Sequence, residues 1–303
     1  MAKFNKILLT GINGQVGHAL YPKLQSMGEV VTLNRSQLDL SNTDSIRALV
    51  QQIKPDLIVN PAAYTAVDKA ESEPDLAHAI NGTAPGVLAE EAARSGALLV
   101  HYSTDYVFDG KKTDAYVETD ATGPLSIYGA SKLEGENAIT AAGSAHLIFR
   151  TSWVYGAYGK NFMRTILRLA TERDSLRIVA DQFGAPTSSS SIADATIAAL
   201  QAWDGSQSGI YHLVNSGETS WFSFAQEIVQ QYEALRTQKG WQALAATAEN
   251  IAGIATHEYP TPAPRPQNSR LCTTQLHRTF NVQLADWRVA LADVLGQYQP
   301  DAA

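Results

Sequence analysis

A doubly wound α/β fold, a parallel sheet flanked by helices on both faces, is what this sequence predicts on three observations. Short β-branched or aliphatic runs alternate with longer helix-periodic stretches through the first 150 residues, the pattern of parallel strands joined by crossover helices. The first apolar run leads directly into Gly11, Gly14 and Gly17 and then into a periodic segment. At 303 residues the chain has length for about two domains of roughly 150 each, so a sheet domain leaves room for a second, smaller one.

The elements follow from local patterns. Aliphatic runs predict strands over Lys6–Thr10, Val30–Leu33, Leu57–Asn60, Leu98–Ser103 and His146–Thr151. Apolar residues at helical spacing predict helices over Val16–Met27, Thr43–Ile53, Asp75–Arg94 with Gly96 as its stop, and Ser131–Ala142 followed by Gly143. Ser41 followed by Asp44 reads as a helix-opening cap, a hydroxyl for a free N–H and a carboxylate for the positive helix end. Beyond residue 150 the rhythm loosens into a helix over Ile192–Trp203, a strand over Gly209–Val214 and a helix over Trp221–Leu235. The expected division is a dinucleotide-binding domain of 1–150 plus about 189–215, and a second domain of 151–188 and 216–303. Alternate prolines in Tyr259–Pro266 forbid both helix and central strand and predict an extended strap over the surface. The tail after Tyr298 is expected to fray.

Composition excludes several classes. With 45% hydrophobic and 17% charged residues the chain is an ordinary globular one rather than disordered. Lys and Arg number 23 against 30 Asp and Glu, a net charge of −7, which argues against nucleic acid and anionic membrane as partners. A single cysteine, Cys272, cannot close an intramolecular disulfide or supply a thiolate cluster, and points to a reducing compartment. Seven histidines lie without zinc-ligand spacing, and His101 reads as a satisfied core residue. The apolar run Ile7–Leu9 is too short for a signal peptide, and no run approaches the ~20 residues of a membrane span. A soluble cytoplasmic protein is expected.

Gly11, Gly14 and Gly17, set between a strand and a helix, match the Rossmann-type phosphate turn. There one glycine makes the turn, one lets backbone approach a pyrophosphate, one lets helix pack on strand, and the helix N-terminus faces the phosphates. A glycine-rich turn without ligand is the plain alternative. At the end of the second strand the NAD-selecting carboxylate is missing and Leu33-Asn34-Arg35-Ser36 stands instead. Asn34 is then expected on the ribose and Arg35 on a 2′-phosphate, so NADPH should bind at least as well as NADH; an Arg35 in solvent is the other reading.

Tyr128 and Lys132 stand four residues apart at the start of a helix, on one face. A tyrosine of pKa ~10 serves as proton donor near neutrality only if its phenolate is stabilised, as a neighbouring cation would do. The fourth strand ends in His101-Tyr102-Ser103-Thr104-Asp105-Tyr106, where ligands of open α/β sheets gather. A hydroxyl there suits a hydrogen bond shared with a carbonyl substrate. The third strand ends in Asn60-Pro61-Ala62-Ala63-Tyr64-Thr65, small enough for backbone to lie against a cofactor. Asn81 is a candidate for ordering the lysine through water.

These motifs, with Ala62–Glu71 and Ser103–Phe108, resemble the extended short-chain dehydrogenase/reductases. His146–Tyr155, Asp181–Thr187 and Arg265–Leu271 narrow the resemblance to the dTDP-4-dehydrorhamnose reductase family, from Lys6 to about Trp287. The resemblance implies hydride transfer from NADPH or NADH to C4 of dTDP-4-keto-L-rhamnose, giving dTDP-L-rhamnose for cell-surface polysaccharide. It makes Tyr128 the proton donor, Lys132 its pKa-lowering neighbour and ribose ligand, and Thr104 the tuning hydroxyl. It places Asp105 and Trp153 on the sugar, and Gly14, Gln15, Val16, Asp39, Leu40, Ala62, Ala63 and Thr65 on the dinucleotide, with a sugar-nucleotide-binding second domain. On the strap, Arg265 and Arg270 are expected to neutralise the nucleotide diphosphate with guanidinium forks. Where some members dimerise around Mg²⁺ through carboxylates, this chain has His18-Ala19 and Ser188–Ser191. No metal site is expected, and a homodimer needs other contacts. Two rivals stay open: a reductase of another nucleotide-linked 4-keto-6-deoxy sugar, and a non-catalytic subunit like the regulatory subunit of methionine adenosyltransferase, which shares the family resemblance.

Overall fold

The computed structural model describes residues 3–300. Its centre is a six-stranded sheet. Five strands come from the first half: β1 (Lys6–Thr10), β2 (Glu29–Leu33), β3 (Leu57–Asn60), β4 (Leu98–Thr104) and β5 (His146–Thr151); Gly209–His212 adds the last. The order is β2-β1-β3-β4-β5 and then Gly209–His212, with every pairing parallel. The chain therefore leaves β1 in one direction and returns to β3 in the other. The crevice between them at the strands' carboxyl ends is a topological switch point.

Alternation within the strands sends side chains to two cores. Ile7 and Leu9 pack with Val59, Val100 and Phe149 under helices Gln15–Leu24 and Ser189–Ala202. Leu8 points the other way, with Ile58, Leu99 and Ile148, under Thr43–Ile53, Ala84–Ser95 and Ile127–Ala141. Leu8 is fully buried, and its truncation to alanine is expected to cost ~2–5 kcal/mol. The second lobe has its own core around Met163, Leu167, Phe224, Ile228, Trp287 and Leu291. Its short strands include the parallel pair Leu176–Val179 and Ile251–Ile254. Thr274–Phe280 folds back onto the first lobe, where Leu276 and Phe280 join the core beneath Ser189–Ala202.

Two expectations change in detail, and a third falls partly outside the described residues. The cap of Thr43–Ile53 is Asn42, whose side chain accepts from Ser45 N; Ser41 instead donates to Asp39. The helix expected over Asp75–Arg94 is broken into Pro74–His78, a π-turn over Ala79–Thr83, and Ala84–Ser95. That π-turn meets the helix Ile127–Ala141 so closely that a Cβ on Gly135 would lie 2.2 Å from Asn81 O. The last helix ends at Gln297; the tail expectation reaches 301–303, which lie outside the described residues.

The proline strap spans the lobes: Ala263 N donates to Asp68, and Asn268–Ser269 pairs with Phe183–Gly184.

Candidate active site

A cavity of about 710 Å³ opens at the switch point. Its floor is the glycine turn, where Gly11 takes φ +60° with the Ala62 backbone against it, and a Cβ on Gly17 would lie 2.2 Å from Gly11 O. No side chain caps the helix that starts at Gln15, so its first N–H groups stay available to an anion. Gln15, Val16 and Gly14 share this wall, facing Pro61, Ala62, Ala63 and Thr65 across the crevice. These features fit a dinucleotide.

Asn34, Arg35, Asp39 and Leu40 form the outer end of the cavity. Asn34 Oδ1 is occupied by Ser36 and Gln37, leaving its amide NH₂ for a ribose. Asp39 is held below its usual range by hydrogen bonds from Ser41, with Arg35 adding to the effect. Among the described residues Arg35 makes no ion pair within 4 Å, although its charge acts on Asp39 from a distance. Tyr64 lines the cavity, but its hydroxyl donates to Glu73 at 2.7 Å. Asn81 accepts from Tyr64 N and donates to Tyr64 O and Ser131 Oγ. It therefore ties the cavity wall at Tyr64 to the helix that carries Ser131, Tyr128 and Lys132 by direct bonds.

That helix, Ile127–Ala141, is fixed at both ends of its functional stretch. Ser126 caps it, Glu71 accepts from Ile127 N at 2.8 Å, and Glu136 forms a buried bidentate pair with Arg150 of β5. Breaking such a pair costs ~3–5 kcal/mol. Tyr128, Lys132 and Thr104 meet at the cavity wall. Burial pushes the Tyr128 phenol up to about 12, opposed by a hydrogen bond with Thr104 and reinforced by the Asp105 charge. Burial brings Lys132 down to about 8, opposed by Glu136. The expected lowering of the tyrosine by the lysine is absent here. The Lys132 ammonium donates to Tyr102 O at 2.6 Å and lies 3.0 Å from His101 Nε2, so its contacts are behind it.

The opposite side of the cavity belongs to the second lobe and the end of β4. Asp105 is 2% exposed; burial raises its carboxyl to about 6, with hydrogen bonds from Ser269 and Thr104 pulling down. Among the described residues its Oδ2 has no partner. Trp153 adopts φ +48°, unusual for a bulky residue, and stacks on Trp221 at 3.6 Å; both indoles line the cavity. Arg265 stands behind this wall, paired with Asp68 at 2.9 Å and 5.9 Å from the Tyr106 ring centre. Its Nη1 is buried and has no partner among the described residues. Like Arg265, Arg270 lies off the cavity lining; it binds Asn268, Glu218 and the Thr113 carbonyl, contacts that fasten the strap.

Several cavity residues escaped the sequence reading. Asn161 caps Phe162–Glu172 and donates to Gln15 at 3.0 Å, joining second lobe to glycine turn. Asparagine before an amphipathic helix was the available signal; its reach to Gln15 had none. Lys160 and Trp221 line the cavity as well. His18 stacks on Tyr158 at 3.9 Å, and Ser188 caps Ser189–Ala202. Among the described residues no group of three or more His, Cys, Asp or Glu is arranged to hold a metal, and no helix is long and apolar enough to cross a membrane.

Residues 5–299 match the family model described as RmlD substrate binding domain. A dTDP-4-dehydrorhamnose reductase of Burkholderia thailandensis is 49% identical over 96% of this chain and 100% of its own length. One from Escherichia coli K12 is 43% identical over 96% of this chain and 97% of its own. The crystal structure of the dTDP-4-dehydrorhamnose reductase of Bacillus anthracis, in complex with NADP, superposes with a TM-score of 0.87 at 34% identity, covering 98% of this chain and 100% of that one.

Proposed function

The chain belongs to the RmlD substrate-binding-domain family, and from that premise we propose that it is an NADPH-dependent reductase of dTDP-4-keto-L-rhamnose. The observation that carries the proposal is the meeting of Thr104, Tyr128 and Lys132 on the wall that joins the glycine turn to the Asp105–Trp153 side. Residues 1–150 with 189–215 hold the cofactor, and 151–188 with 216–303 hold the sugar nucleotide, Thr274–Phe280 apart.

When bound, NADPH supplies the hydride that reaches C4 of the sugar. Tyr128 gives its phenolic proton to O4, so the ketone becomes an alcohol. A phenol raised by burial is fully protonated at neutral pH, the correct starting state for a donor. The Lys132 charge matters once the proton has left, because phenolate in a buried site needs a nearby cation. Thr104 holds the phenol and the carbonyl oxygen in one hydrogen-bonded line. Asp105 accepts from sugar hydroxyls through Oδ2, Trp153 packs on the ring, and Arg265 Nη1 reaches the diphosphate. Arg35 takes the 2′-phosphate. The need for reduced cofactor and the lone cysteine support a cytoplasmic reaction.

The test is to mix purified protein, NADPH and enzymatically made dTDP-4-keto-L-rhamnose, follow cofactor oxidation and identify the sugar. One dTDP-L-rhamnose formed per NADPH oxidised is expected. Cofactor binding without oxidation would instead place the chain with non-catalytic relatives. NADH bound far more tightly than NADPH would remove the role given to Arg35.

A further inference from the structure

Behind Lys132 runs a buried chain of polar groups that the reaction above does not use. The Lys132 ammonium nitrogen lies 3.0 Å from His101 Nε2, His101 Nδ1 lies 3.1 Å from Asn60 Nδ2, and Asn60 Oδ1 accepts from Thr10 at 2.6 Å. Lys132, His101 and Asn60 are 2%, 0% and 1% exposed. The chain crosses from the catalytic helix through β4 and β3 to β1, ending at the residue before the glycine turn. Groups so buried must satisfy one another.

Counting hydrogens restricts what they can be. An ammonium only donates, an amide nitrogen only donates, and a neutral imidazole has one donor and one acceptor. With Asn60 Nδ2 donating to Nδ1, the ring hydrogen sits on Nε2, facing Lys132, and only the neutral amine can accept it. With Lys132 charged, Nε2 must accept, the hydrogen moves to Nδ1, and Asn60 must turn its amide to offer Oδ1, giving its Nδ2 to Thr10. An imidazolium beside the ammonium satisfies neither arrangement. Burial and the Lys132 charge hold His101 well below its ordinary value in any case.

We propose that His101 is a positioning residue for Lys132, a permanently neutral imidazole whose tautomer, together with the amide orientation of Asn60, follows the protonation of the lysine. The device keeps the amine in one place in both states and sets the pH at which its charge is lost. Two of the three ammonium hydrogens are engaged by His101 and Tyr102 O, so one remains for the cavity. The other groups facing the pair are Tyr128 and Glu136 on the catalytic helix, with Glu136 bound to Arg150 of β5, and Asp105 beyond Tyr128. Among the described residues, His101 and the Tyr102 carbonyl are the hydrogen-bond partners of the Lys132 nitrogen. The inference rests on the reductase reading only where turnover is the readout.

Nitrogen-15 NMR of the histidine-labelled full chain tests it without substrate. His101, assigned by the signal missing from His101→Gln, should stay neutral from about pH 5 to 10 and exchange an Nδ1–H for an Nε2–H tautomer across one transition. The alkaline fall in kcat should share that midpoint. His101→Leu removes the acceptor and should move the alkaline limb down by about one pH unit, whereas His101→Gln, which keeps an acceptor, should restore it. An imidazolium titrating in that range, a single tautomer throughout, or an unmoved limb in His101→Leu would overturn the proposal. If His101→Leu does not fold, or the sugar is not reduced, the wild-type spectra still decide.

Discussion

The two halves of the cavity are made of different material. The cofactor half is largely backbone: a glycine turn, an uncapped helix start and the Pro61–Ala63 stretch, all at the carboxyl ends of β1 and β3. The sugar half is side chain: Asp105, Trp153 and Trp221 on the wall with Arg265 behind them, drawn from four separate stretches of sequence. Backbone recognition makes the first half depend on what is missing, a Cβ. The second depends on what is present, a charge or an indole. Substitutions should therefore fail differently on the two sides.

The largest effect is expected at the seam. Tyr128→Phe removes the proposed proton donor and keeps the ring, which touches Tyr106 edge-on. General acid catalysis is worth ~10²–10⁴-fold, so kcat should fall by roughly 10³ while the NADPH dissociation constant measured by fluorescence titration barely moves. A parallel loss of cofactor affinity would mean that the halves are not separable there.

On the side we assign to the sugar, burial of the Asp105 carboxyl costs stability. Its carboxyl is raised from 3.8 to about 6 by burial, so the folded state holds a proton that the unfolded chain releases between those values. Stability from this group is complete below about pH 4 and is lost as pH rises through 6, a penalty of about 3 kcal/mol at neutrality. Asp105→Asn should recover much of it. Thermal melts should show the variant more stable than wild type at pH 7.5 and equal to it near pH 4, while KM for the sugar nucleotide rises. Equal melting temperatures at pH 7.5 would show that Asp105 is not a buried carboxylate in solution.

The asymmetry also explains what was readable. β1, β3 and β5 begin and end where their aliphatic runs do, because parallel strands buried on both faces have sharp composition edges. Gly11, Gly14 and Gly17 sit on the cavity floor because their spacing is itself the geometry. Lys132 was legible as a residue, but the chain behind it was not: Asn60 meets His101, and His101 meets Lys132, through strand register, which no spacing records. The π-turn at Asn81 was hidden for a similar reason, since it answers to Gly135, over fifty positions on. The contacts of Arg270 with Asn268, Glu218 and Thr113 were equally illegible, because a basic residue on a proline strap looks the same in sequence whether it faces ligand or clasps a loop.

A smaller loss should follow Gly17→Ala. The added Cβ would fall 2.2 Å from Gly11 O, backbone against backbone, so turn and helix must part. Overpacking of this kind costs ~1–3 kcal/mol, and here the strain lies in the phosphate turn. NADPH affinity should drop by roughly 30-fold for about 2 kcal/mol, while dTDP binding to the other half, followed by calorimetry, stays within a factor of two. If dTDP binding falls equally, the glycine turn braces the whole cavity through the Gln15–Asn161 bond.

The smallest effect separates the two strap arginines. Arg265 has one buried donor without a partner among the described residues and is paired with Asp68, so its net attraction for a diphosphate is modest, about 1 kcal/mol. Arg265→Ala should raise KM roughly fivefold at unchanged kcat, the signature of binding energy shared equally by ground and transition states. Arg270 has its donors engaged by Asn268, Glu218 and Thr113. Arg270→Ala should leave KM within twofold and instead loosen the strap, seen as faster proteolytic nicking between Tyr259 and Ser269. The reverse pattern, KM following Arg270 and nicking following Arg265, would place the diphosphate on the far side of the strap and redraw the sugar half of the cavity.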